Sequence, residues 1–169
     1  MDLLIGYAIR LITFPGLILK AFINKLICNM LGLQVQKVNY LALDEHVLSV
    51  EHEKPRSYTY VLAMVLIPFL EMSLLAMVLF NMGKYLIPNS EIIFLWLGIS
   101  VATHSFPESD VGHLLFKKSL KQIKDGNYLA AFNLPLALLI QISTKPYFFW
   151  LHLLYGTLLY FLVVFQMNI

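Results

Sequence analysis

The chain has 169 residues, of which 59% are hydrophobic and 13% charged, with a net charge of +2 and a mean hydropathy of +0.74. That apolarity lies far above an ordinary soluble domain and reads as an integral membrane protein, with room for four or five spans of about 20 residues and no separate soluble domain. The weak charge and the lack of a phosphate-binding glycine loop exclude a nucleic-acid or nucleotide binder, and the single cysteine, Cys28, excludes an internal disulfide or a thiolate metal cluster.

Residues 1–13 are apolar except for Asp2 and Arg10 and read as a retained helix rather than a cleaved leader. Two arrangements fit them: a helix that starts at the interface and dips inward, or the first part of one kinked helix over residues 1–33. The second is the working expectation. Pro15 suits a first helical turn, because its missing N–H needs no partner there, and Gly32 suits a left-handed C-cap. Between them Lys20 and Asn24, four apart, share one side of the helix. A lysine at membrane depth costs about 2.5–3.5 kcal/mol, so Lys20 requires a partner or a route to the interface. Cys28 reads as a buried small apolar residue.

Residues 34–55 alternate in polarity with Leu43-Asp44-Glu45-His46 as a turn, which predicts a β-hairpin held at the interface or against protein. His46 and His52 read as exposed hairpin residues. Residues 58–82 form a full-length membrane helix containing Pro68 and an intramembrane carboxylate, Glu71, expected to face the interior of the bundle. Residues 92–104 form a shorter apolar helix that runs into His104-Ser105-Phe106-Pro107. Residues 110–124, with Lys117, Lys118, Lys121 and Lys124 between apolar positions, predict a basic amphipathic helix suited to an anionic membrane surface, or a solvated flank that fixes topology. Residues 128–143 and 147–167 are the last two membrane helices. If residue 58 enters from the cytoplasm, Lys37, Lys54, Arg56 and the four lysines of 117–124 are cytoplasmic, against Lys84 and Lys145 outside. The hairpin and the Asp110 loop then share the cytoplasmic side of a cell membrane. The fold class expected is an all-α integral membrane protein with four to five transmembrane helices and a small β-hairpin between the first two.

Three stretches, read together, resemble the site-2 protease family of intramembrane zinc metalloproteases. The run from Pro15-Gly16 through Lys20, Ala21 and Asn24 to Gly32 follows the frame PGxxxHExxHxxxxxxxG. The hairpin and the helix with Pro68 are similar to the family's next elements. Phe106-Pro107-Glu108-Ser109-Asp110-Val111-Gly112-His113-Leu114-Leu115 is similar to its second motif, a Pro followed by DGGHLL, whose Asp is the third metal ligand. The resemblance implies zinc held by two imidazoles at i and i+4 and by that Asp, with a Glu beside the first His as general base.

Here those positions hold Lys20, Asn24 and Ala21, and Asp110 alone is kept. Lysine offers no lone pair when protonated, alanine moves no proton, and an amide is a poor zinc ligand. Glu71 stands where relatives commonly carry Asn, and Val111-Gly112 replaces the paired glycines. The expectation is therefore a pseudo-metalloprotease with no catalytic residues and no cofactor. Lys20 would form a buried ion pair with Asp110, with Glu71 as second partner, or else snorkel to the cytoplasmic interface. The function expected is that of a scaffold or partner-binding subunit in the lipid bilayer. It would contact other integral membrane proteins or a second copy through the last span near Gly156 and through the hairpin edge. Two alternatives stay open: a zinc-dependent hydrolase with a relocated site at His104, Asp110 and His113 and Glu108 as base, and a small transporter or channel component using Lys20 and Glu71 as a relay.

Overall fold

The computed structural model describes residues 2–41, 49–55, 57–85, 90–143 and 149–166. The protein is mostly helical, with one small antiparallel sheet. In chain order the elements are α1 (Asp2–Ile12), α2 (Phe14–Met30), β1 (Val35–Val38), β2 (Val50–His52), α3 (Tyr58–Tyr85), α4 (Glu91–Thr103), α5 (Ser109–Lys124), a short 3-10 helix (Tyr128–Phe132), α6 (Asn133–Ser143) and α7 (Phe149–Gln166). The expected hairpin turn with His46, as well as Arg56 and Lys145, lies outside the described residues, as does the Lys84 side chain.

The expected kinked N-terminal helix is two helices that meet at Thr13 with a bend of 79°. Pro15 lies at the start of α2, as its missing N–H favours. Gly32 ends it with φ +67°, while Leu33 N–H donates to the Cys28 carbonyl at 2.9 Å and Gly32 N–H to Asn29 at 3.1 Å, the paired bonds of a Schellman cap. The two strands pair Val35 with His52, Lys37 with Glu51 and Val38 with Val50.

α3 is the hub. Its C-terminal half contributes Met72, Ala76 and Phe80 to a core with Val101 and Ala102 of α4 and Leu159 and Val163 of α7. Its N-terminal half contributes Val61 and Val65 to a second core with Leu115 of α5 and Ala137 and Ile140 of α6. Small residues set the close crossings. A Cβ on Gly98 would overlap the Phe80 ring, and one on Gly156 would meet the Ala102 Cβ at 3.3 Å. Gly156, expected on an outer contact face, is thus buried against α4.

Among the described residues, one helix is long and apolar enough to cross a membrane, Tyr58–Gly83, with mean hydropathy 2.3, or two if the bent pair Gly6–Ile12 and Phe14–Met30 is a single broken span. The four to five spans expected from composition are not all matched by single helices of that kind: α4, with 13 residues, and α6, with 11, extend only about 16–20 Å of a hydrocarbon core about 30 Å thick.

Candidate functional site

Lys20, Asn24 and Cys28 follow one another at four-residue steps on α2. That face lines a cavity of about 20 Å³, which is closed by Val50 of β2, Met64 and Pro68 of α3, and the turn from Ser105 to Glu108. The volume matches about one water molecule. Pro68, inside α3, has no N–H for the Met64 carbonyl, so this wall of the cavity also has a loosened backbone.

Lys20 Nζ donates to the Phe106 carbonyl at 2.9 Å. That carbonyl sits on non-helical backbone between α4 and α5, where a donor is needed if water is scarce. The turn is held by its ring: Phe106 stacks on His152 at 4.4 Å with planes 6° apart. It also meets Tyr155 edge-on at 5.2 Å and Phe69 at 5.7 Å. Tyr155 is fixed in turn by a 2.7 Å hydrogen bond to Ser73. The neighbouring acid is Glu108, on the wall of the same cavity. Its carboxylate accepts from Ser49 N–H at 3.1 Å and from the Ser49 hydroxyl. Asn24 Nδ2 donates to the same hydroxyl oxygen at 3.0 Å. One network therefore joins α2, the start of β2 and the α4–α5 turn.

The expected pairing of Lys20 with Asp110 is not formed. α5 packs through Gly112, Leu115 and Ser119, and Asp110, two residues before Gly112, points about 200° away from that face. It is exposed in the first helical turn, where a carboxylate suits the helix dipole. Glu108, in extended backbone just before the helix, turns toward Ser49 instead. Glu71 is also exposed, beside the outward residues Ile67, Leu70, Leu74 and Val78 of α3, rather than inside the bundle. The structure does not join Lys20 and Glu71 into a relay.

The relocated metal set is not assembled either. His104 is buried and lies 2.8 Å from the Thr13 hydroxyl. That hydroxyl donates to the Ile9 carbonyl, which leaves His104 Nε2 as the donor. Asp110 and His113 are exposed, and among the described residues no group of three or more His, Cys, Asp or Glu is placed to hold a metal ion. Zinc at the position implied by the motif needs lone pairs from residues 20, 24 and 110. Lys20 and Asn24 act there as donors and Asp110 faces outward, so these residues do not fit the metal.

Sequence reasoning missed a second polar cluster. Ser100, four residues before His104, accepts from Gly16 N–H and donates to the Thr13 carbonyl, both at 2.8 Å. One hydroxyl thus satisfies both sides of the α1–α2 break. The four-residue spacing of Ser100 and His104 on an otherwise apolar helix was the available signal. A scan of protein-family models gives no match to this chain, and none is found among curated proteins or solved structures.

Proposed function

We propose that the chain is a non-catalytic membrane protein related in architecture to the site-2 proteases, a pseudo-metalloprotease that serves as a scaffold or partner-binding subunit. One observation carries the reading: the two helix positions where the motif has metal-ligating histidines form a polar lock, Lys20 on the Phe106 carbonyl and Asn24 on the Ser49–Glu108 pair. A lysine in that place supplies positive charge to the turn that a metal would otherwise organise, but it offers neither an open coordination position nor an activated water. The partner-binding part rests on Glu71, an exposed carboxylate halfway along the apolar helix Tyr58–Gly83. Such a group in lipid calls for a hydrogen-bond donor at its own depth. The occupant proposed for this face is a spanning helix of another membrane protein that carries a cationic or amide side chain there.

Metal analysis of detergent-purified protein and cysteine cross-linking from Leu74→Cys, in a Cys28→Ser background, test the two parts. The expected results are zinc far below one per chain and a heteromeric cross-linked product lost on Glu71→Leu. About one zinc per chain, lost in Asp110→Ala, would restore the enzyme. A product of twice the chain mass would assign the face to a second copy, and no product would remove the partner reading.

A further inference from the structure

We infer that the segment from Lys117 to Phe132 is a docking face for anionic phospholipid headgroups at the rim of the membrane. The inference goes beyond the function proposed above but rests on the chain lying in a bilayer. α5 buries Gly112, Leu115 and Ser119, and Lys117, Lys121 and Lys124, at steps of four and three, form a row on the opposite side and are all exposed. Beyond the helix, the 3-10 segment presents Tyr128, Leu129 and Phe132, which are 76%, 75% and 81% exposed. Bulky side chains so bare are costly in water, and next to a row of lysines they form the two-part pattern of an interfacial anchor.

Two contacts fix its depth. Leu115 packs with Val61 and Val65 of α3, while Val111, one turn earlier, shares the cavity wall with Met64 and Pro68. α5 therefore runs toward the Tyr58 end of the apolar helix. Asn133, directly after Phe132, hydrogen-bonds the Tyr58 hydroxyl, which ties the aromatic tip to the residue where that helix begins. The lysine row thus approaches and passes the end of the span, at the level of headgroups. Phosphate oxygens would meet the three ammonium groups while Tyr128, Leu129 and Phe132 enter the acyl boundary. Asp110, Asp125 and Glu108 are the acidic groups on the helix and its caps; Asp110 and Glu108 lie at the far, N-terminal end.

The test uses the full chain in nanodiscs of phosphatidylcholine alone or mixed with phosphatidylglycerol. Native mass spectrometry counts retained lipid, and hydrogen exchange reports on 117–132. Selective retention of phosphatidylglycerol and slower exchange of 117–132 in its presence are expected, with both reduced by added salt. Each lysine near an anionic surface contributes about fivefold, so Lys117→Gln, Lys121→Gln and Lys124→Gln together should weaken retention by about 100-fold. Equal retention of the two lipids, or no loss in the triple variant, overturns the inference. Protection by soluble polyglutamate in pure phosphatidylcholine discs would overturn it in favour of an acidic protein partner. Carbonate extraction separates the two readings: a triple variant that stays in the membrane but loses phosphatidylglycerol supports the lipid face. A parent chain released by carbonate would sink the membrane reading and this inference together.

Discussion

At the residue scale, the carboxylate that lines the cavity with Lys20 is not the one that the motif resemblance implied. A motif aligned by sequence points to Asp110, but helical phase sends Asp110 outward, and Glu108 is the carboxylate that lines the cavity with the lysine. Removing the amino group in Lys20→Met takes a donor from the Phe106 carbonyl and the cation from the cavity that Glu108 also lines, at a cost of about 2 kcal/mol. Adding Glu108→Gln removes the carboxylate charge while an amide oxygen still accepts from Ser49. The double variant is therefore expected to be more stable than the sum of the single losses implies, by about 1 kcal/mol. Asp110→Asn should combine additively with Lys20→Met, within about 0.5 kcal/mol. Thermal unfolding midpoints in detergent measure both cycles. Coupling to Asp110 and additivity with Glu108 would reverse the assignment. The chemistry at position 20 was legible from residue type alone; its partner was not, because a difference of two residues around a helix turns a side chain by about 200°.

At the scale of elements, the start and end of α2 could be read from Pro15 and Gly32, and the hairpin strands from their alternation, since local backbone rules set both. Pro15 announced a kink, but the bend between α1 and α2 is held by Ser100, which lies more than eighty positions away, and no local pattern announces that partner. Gly16 is the residue that lets Ser100 approach: a Cβ there would overlap the Ser100 carbonyl and stand 2.8 Å from His104 Cδ2. Gly16→Ala should push α2 from α4 and destabilise the protein by about 2–3 kcal/mol, as overpacking does. Gly32→Ala, at φ +67° with open space around it, should cost only about 1 kcal/mol. The two midpoints, compared in one detergent, decide the matter, and equal shifts would mean that the α2–α4 crossing yields freely. The same crossing positions Lys20, so Gly16→Ala should also weaken the lock on Phe106 without altering any polar residue.

At the scale of the whole molecule, composition established an apolar chain, while the described helices that are long and apolar enough to cross a membrane are one or two, because hydropathy counts apolar residues whereas a membrane reads continuous helix length. The short helices make sense in series. α4 starts where Gly83 of α3 packs against Glu91 and Phe94 and ends near Phe106, whose ring meets Phe69 halfway along α3. α5 continues past Val65 and Val61 toward Tyr58. Together they cover the length of α3 as a helix broken at residues 104–108. Irregular backbone at that depth persists only where protein satisfies it, and Lys20, Ser49 and the aromatic stack around Phe106 do so. In a bilayer, the lock would be the element that lets α4 and α5 act as one span. If so, their far ends lie on opposite sides of the bilayer. In a Cys28→Ser background, Glu91→Cys should react with an impermeant maleimide from one side of sealed vesicles and Asp125→Cys from the other. The lysine bias of the sequence leads to the expectation that the Asp125 side is the cytoplasmic one. Labelling of both from the same side would make α4 and α5 a re-entrant pair, and the polar lock would then mark the tip of a loop rather than the middle of a crossing.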